Sequence, residues 1–166
     1  MAEPFIRKAR MQDVKVIHQL LMTCSTQGVL LPRSLTQLYH CMREFYVIDP
    51  ADGGDIIGCC ALSIIWEGLA EVRSLFVDEK ARHGGYGRKL VEKCLEEARA
   101  LSIYKIFTLT YQDAFFQKLG FSEVSKDVLP QKIWADCVNC PKFPECDEIA
   151  MLIEIQPDHS GESNGN

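Results

Sequence analysis

Apolar positions along the chain alternate between two spacings, and the switches between them mark out the elements. Phe5–Lys8 reads as a short first strand. Val14, Ile17, Leu20, Leu21 and Cys24 then recur at three- and four-residue intervals, which predicts an amphipathic helix over Asp13–Cys24, broken at Gln27-Gly28. Pro32 precedes a second helix, with Ser34 as its N-cap ahead of Leu35, Leu38 and Met42. Phe45–Asp49 and Ile56–Trp66 are β-rich and flank the turn Pro50–Gly54, so they predict an antiparallel hairpin. Glu67-Gly68 turns the chain again into a strand over Ala70–Val77.

The second half switches period. Leu90, Val91, Cys94, Leu95, Ala98 and Leu101 share one face of a helix predicted over Gly87–Ala100. A strand over Tyr104–Thr110, a short helix over Asp113–Leu119 closed by Gly120, and strands over Phe121–Val124 and Glu148–Ile155 follow. Residues 156–166 are polar and rich in Gly, Ser and Asn, and predict a disordered tail. With no repeat and no dividing linker, the pattern gives one domain over 1–155. Its class is mixed α/β: a central twisted sheet, an antiparallel meander first, then a parallel pair across the Gly87–Ala100 crossover, with helices on both faces.

Composition narrows the function classes. The 166 residues are 47% hydrophobic and carry a net charge of −5, which argues against a nucleic-acid partner. No apolar run approaches a membrane span, and residues 1–10 carry no secretory core, so the expectation is a cytoplasmic protein with no membrane partner. Whether it forms a homodimer is left open. Five of the eight cysteines, Cys24, Cys41, Cys59, Cys60 and Cys94, lie in apolar contexts and read as small core residues. Cys137, Cys140 and Cys146 lie in the segment 134–147. Their spacing suits a zinc site completed by Asp147, His159 or another cysteine; a disulfide or three free thiols are the alternatives.

The most informative stretch runs from Leu75 to Arg88. A strand ends at Val77, and a turn containing Arg82, His83, Gly84, Gly85, Tyr86, Gly87 and Arg88 opens onto the amphipathic helix. Glycines let backbone approach a ligand, and free amides at a helix start suit a pyrophosphate. A plain strand–helix connection is the bland alternative. Neither the Walker nor the dinucleotide-binding glycine spacing is present.

Arg82-x-x-Gly85-x-Gly87 resembles the acetyl-CoA loop of the GNAT superfamily. Ala114–Phe121 resembles that family's short helix and Gly-Phe turn. The resemblance covers about Phe5–Val124. It implies acetyl-CoA as co-substrate, with the amides of Arg82 to Arg88 on its pyrophosphate and the backbone of Leu75, Phe76 and Val77 along its pantetheine. One departure is Phe116, where many members have a tyrosine that protonates the leaving thiolate; Tyr111 is the nearest substitute.

Within the superfamily the chain resembles N-acetylglutamate synthases, in a short form without a kinase domain. Gln27–Leu38, Glu71–Val77 and Phe107–Thr110 running into Phe115-Phe116 carry this resemblance. It implies an amino-acid acceptor, glutamate, in arginine biosynthesis. Arginine forks suit its carboxylates, and Arg33 and Arg73 are the candidates. Glu71 and Arg73, two apart in a strand, share one face. They form either a structural ion pair or a general base, Glu71, beside a carboxylate ligand. The implied reaction is direct attack of the freed amine on the thioester, with no covalent enzyme intermediate. Another amine acceptor, or a non-catalytic CoA- or metal-sensing module, are the rival readings.

Overall fold

Residues 2–26, 33–129 and 148–157 are described by a computed structural model. Its strands are β1 (Phe5–Lys8), β2 (Phe45–Asp49), β3 (Gly58–Trp66), β4 (Leu69–Val77), β5 (Lys105–Thr110), β6 (Ser122–Glu123) and β7 (Ile149–Glu154). The helices are α1 (Val14–Thr26), α2 (Leu35–Cys41), α3 (Tyr86–Ala100) and α4 (Asp113–Lys118). The strands form one sheet in the order β1-β2-β3-β4-β5-β7-β6. Strands β1 to β4 are an antiparallel meander, and β4 pairs with β5 in parallel across α3. β7 inserts antiparallel between β5 and β6. The mixed α/β architecture is therefore as the pattern predicts.

Helices cover both faces. On one, Leu90, Val91, Cys94 and Ala98 of α3 and Phe116 of α4 pack with Cys60, Leu62, Ala70, Val72, Ile106 and Met151 of the sheet. Each large aliphatic side chain fully buried here contributes about 1.5–3 kcal/mol. On the other, Val14, Ile17 and Leu21 of α1 and Leu38 of α2 pack on Phe45, Val47, Cys59 and Ala61. A separate cluster on that face joins Phe107, Leu129 and Ala150.

Two local devices hold the first half. Arg7 of β1 donates to Asp49 at 2.8 Å and, with both terminal nitrogens, to Asp13 at 2.7 and 3.1 Å. The fork ties β1 to β2 and to the turn that opens α1. At α2, the Gln37 amide donates to the Ser34 hydroxyl at 3.1 Å and the Ser34 amide to the Gln37 side chain at 2.9 Å, a reciprocal cap.

Boundaries differ where backbone amides are diverted. Ile56 and Ile57 precede β3; the Ile57 amide donates to the Ile48 carbonyl and the Ile57 carbonyl accepts from Asp78. The strand expected over Phe121–Val124 shortens to Ser122–Glu123, because the Phe121 amide closes the α4 turn on the Phe116 carbonyl. The helix break at Gln27-Gly28, the segment 134–147 and the tail beyond Pro157 lie outside the described residues. Among those described, no helix is long and apolar enough to cross a membrane.

Candidate active site

Several of the chemistry-bearing positions lie along β4, and that strand is bulged. Cys59 faces Phe76 and Ala61 faces Arg73, so Cys60 alone lies opposite both Ser74 and Leu75. Ser74 absorbs the extra residue with φ 57°, a left-handed conformation that costs a non-glycine residue about 1–2 kcal/mol. The Cys59 and Cys60 thiols point into the bulge, donating to the Ser74 carbonyl at 3.4 Å and the Arg73 carbonyl at 3.9 Å.

A bulge bends its strand, and here β4 leaves β5. Their ladder runs through Leu69–Lys105, Ala70–Ile106 and Glu71–Phe107, whereas β4 continues to Val77 and β5 to Thr110. The β5-facing edge of β4 past Glu71, along the half-buried Leu75, Phe76 and Val77, is geometrically suited to an extended ligand lying as an added strand.

The glycine-rich turn follows at the end of that edge. The Asp78 carboxylate accepts from the Lys80 amide and the Arg82 Nε donates to the Val77 carbonyl, both at 3.0 Å. His83 and Gly85 have positive φ, 71° and 78°, which turns the chain onto α3. The Gly85 carbonyl accepts the Lys89 amide at 3.1 Å. The amides of Tyr86, Gly87 and Arg88 therefore precede the first intrahelical bond and point outward, with the helix dipole behind them. At Gly87 a Cβ would meet the Phe115 ring at 3.5 Å and Val77 Cγ2 at 3.7 Å, so the helix start packs against the end of β4. Arg82, His83, Gly84 and Arg88 are exposed around these amides. Outward-facing amides at a helix start are the kind of arrangement that suits an anion.

A second group of polar residues lies on the α1/α2 face. Ser63 pairs with Glu71 and Ala61 with Arg73; Ala61 belongs to the α1/α2 core, so Glu71 and Arg73 point to that side. Phe107, the neighbour of Glu71 on β5, belongs to the separate apolar cluster. The polar positions thus fill the gap between two apolar patches. Arg33, just before α2, reaches over them. Its Nη1 donates to Ser74 Oγ at 3.4 Å, its Nη2 to Cys41 Sγ at 3.2 Å, and its guanidinium stands 5.7 Å from the centre of the Phe45 ring.

The charges of these groups act on one another. Burial, then the charge of Arg73, pull the Arg33 pKa below its ordinary value, while Cys41, Glu44 and Glu71 oppose them. Burial pushes the Cys41 thiol up, and Arg33 counters it. Ser63, itself buried, donates its hydroxyl to Glu44, with oxygen separations of 2.7 and 3.0 Å.

The structure therefore brings Arg33, Glu71 and Arg73 together on one face. Cys41, expected in the core, is half-buried against Arg33, because α2 ends at the rim of its packing cluster; Cys59, Cys60 and Cys94 are core residues as expected. Phe116 is buried in edge-to-face contact with Phe115 and Phe121. Tyr111 follows β5, at the same end of the sheet as Val77 because the two strands are parallel. Cys137, Cys140, Cys146, Asp147 and His159 lie outside the described residues. Among those described, no group of three His, Cys, Asp or Glu side chains is arranged to hold a metal ion.

Sequence reasoning missed Glu44, Ser63 and Ser74. The signal for Ser63 was a hydroxyl inside the apolar run Cys59–Trp66 at the parity of Ala61; for Glu44 there was none beyond its place before β2.

Residues 14–121 match the model of the acetyltransferase (GNAT) family. The chain belongs to that family. This GNAT chain is 40% identical to an uncharacterized N-acetyltransferase of Chlorobaculum tepidum over 91% of its own length and 96% of the relative's. It is 37% identical to an amino-acid acetyltransferase of Mycobacterium tuberculosis over 73% of its length and 70% of the relative's. The N-acetylglutamate synthase of Neisseria gonorrhoeae, solved with coenzyme A and N-acetyl-glutamate, superposes with a TM-score of 0.83 at 28% identity. That likeness covers 94% of this chain and 36% of the synthase. The GNAT fold is thus shared throughout, and the protein is an acyltransferase.

Proposed function

We propose that this enzyme transfers an acetyl group from acetyl-CoA to the α-amino group of an acidic amino acid, and that L-glutamate is the acceptor. The observation that carries the acceptor is Arg33. Its guanidinium is held by Ser74, Cys41 and Phe45, and among the described residues no carboxylate stands within ion-pair distance. A half-buried arginine braced in this way presents donors to an incoming carboxylate. The names of the relatives, amino-acid acetyltransferase and N-acetylglutamate synthase, support the same reading.

Acetyl-CoA supplies an acyl group already activated as a thioester. The residues of this chain do the rest. The amides from Arg82 to Arg88 hold the pyrophosphate, and the open edge of Leu75, Phe76 and Val77 pairs with the pantetheine. A β4 amide at the bulge donates to the thioester oxygen. Arg33 and Arg73 take the acceptor's carboxylates, and Glu71, on the same face, removes the proton from its ammonium. The product enters arginine biosynthesis, and the reaction takes place in the cytoplasm.

The test is an acceptor screen with acetyl-CoA, read as free thiol release. Glutamate is expected to give the highest kcat/KM, above glutamine, ornithine and polyamines. A basic amine that outcompetes glutamate would sink the acceptor reading and leave the acyltransferase class intact.

A further inference from the structure

The polar group on the α1/α2 face contains a second carboxylate, and the proposed mechanism gives it no task. Glu44 closes the 3-10 turn ahead of β2 and receives the Ser63 hydroxyl, with oxygen separations of 2.7 and 3.0 Å. Ser63 is buried, 4% exposed, and stands directly opposite Glu71 in the β3–β4 register. Directly opposed residues on one face hold their Cβ atoms about 4.5–5.5 Å apart. Glu44 and Glu71 also both act on the charge of Arg33. Ser63 is therefore the common neighbour of two carboxylates.

We infer that Glu44, acting through Ser63, is a positioning residue that raises the proton affinity of Glu71; this rests on Glu71 being the base. Two effects have the same sign. The negative charge of Glu44 disfavours a second negative charge nearby. In addition, Ser63 gives its only proton to Glu44, so toward Glu71 it offers lone pairs alone. Lone pairs accept a hydrogen bond from a protonated carboxyl and repel a carboxylate, which favours the protonated form. A base for an ammonium works best when its proton affinity is raised toward the working pH.

The surrounding charges make this adjustment necessary. Arg33 from the segment before α2 and Arg73 from β4 are cationic, and cations beside a carboxylate favour its ionised form. Cys41 of α2 and Ser63 of β3 are neutral, and Phe107 of β5 is apolar. Glu44 is the counterweight to the two arginines that the carboxylates of the acceptor require.

The experiment compares pH profiles of kcat/KM for the acceptor in the wild type, Glu44→Gln, Glu44→Asp and Ser63→Ala, with Glu71→Gln alongside. The acid limb is expected to move down by about one pH unit in Glu44→Gln and in the same direction, by less, in Ser63→Ala. Glu44→Asp keeps the charge and should stay nearer the wild type, and the KM for acetyl-CoA should be unchanged throughout. An equal rise in melting temperature with CoA identifies the variants that fold; if Glu44→Gln does not, Ser63→Ala carries the test. Limbs that do not move while Glu71→Gln is inactive would overturn this inference and leave the base in place. Normal turnover in Glu71→Gln would instead remove the base reading beneath it.

Discussion

Arg33 Nη1 lies 3.4 Å from Ser74 Oγ, across 41 residues of chain, and Ser74 is the residue that carries the β4 bulge at φ 57°. One contact therefore joins the two halves of the site. The side chain of Ser74 braces the arginine proposed for the acceptor, while its backbone sets where β4 leaves β5. If Arg33 binds the acceptor as proposed, a change at Ser74 should be felt on both sides of the site.

Arg33→Ala should raise the KM for glutamate tenfold or more and leave the KM for acetyl-CoA close to wild type. A hydrogen bond to a charged group is worth about 1.5–3 kcal/mol, and tenfold corresponds to about 1.4 kcal/mol. Steady-state kinetics with each substrate varied in turn decide it. Unchanged glutamate kinetics would remove Arg33 from the acceptor site.

Ser74→Gly separates strain from function. Glycine relieves the left-handed conformation, worth about 1–2 kcal/mol, against an entropic loss of about 0.5–1 kcal/mol. The variant should melt no lower than the wild type and yet show a glutamate KM raised several-fold, because Arg33 loses a brace. Melting curves and kinetics on one preparation check both. A destabilised Ser74→Gly with normal KM would contradict the account.

Gly85→Val should abolish most of the stabilisation by CoA. Gly85 has φ 78°, which a β-branched residue adopts only with strain, and the turn it shapes aims the first amides of α3. In the wild type, ligand at a hundred times its Kd stabilises by about 2.7 kcal/mol. Thermal melts with and without CoA give the comparison, and an undiminished shift in the variant would argue against the anion site.

The Arg7 fork should make stability fall with acid. Burial pushes the Asp13 carboxyl up, but hydrogen bonds from Arg7 and the Arg10 amide outweigh it and leave it below the ordinary value. Arg7 is the largest cause of the lowering at Asp49 too. A depressed folded pKa contributes stability that is complete above the unfolded value, about 3.9, and is lost as pH falls through the folded value. Arg7→Met should cost about 3–5 kcal/mol at neutral pH, because Asp13 is left buried and charged. The gap to wild type should narrow below pH 4 as Asp13 protonates. Denaturant melts at pH 7 and pH 3 measure it; a gap of constant size would show that the pair contributes little.

The sequence by itself determined the elements, the two-sided sheet and the glycine-rich turn, because these depend on residues near one another in the chain. Periodicity places Leu90, Val91, Cys94 and Ala98 on one helix face whatever they pack against. Gly85 and Gly87 announce a tight turn onto α3 for the same reason, and Glu71 and Arg73, two apart, share a face in any strand. What only the tertiary structure decided is the company these residues keep. Ser63 meets Glu71 through the β3–β4 register, Glu44 meets Ser63 from the far side of β3, and Arg33 meets Ser74, the bulge residue at positive φ. Register and bulge are fixed by packing and hydrogen bonding across the whole sheet, so no local pattern carries them. The arginines and the glutamate could be nominated one at a time from the sequence, but the balance of charge among them could not.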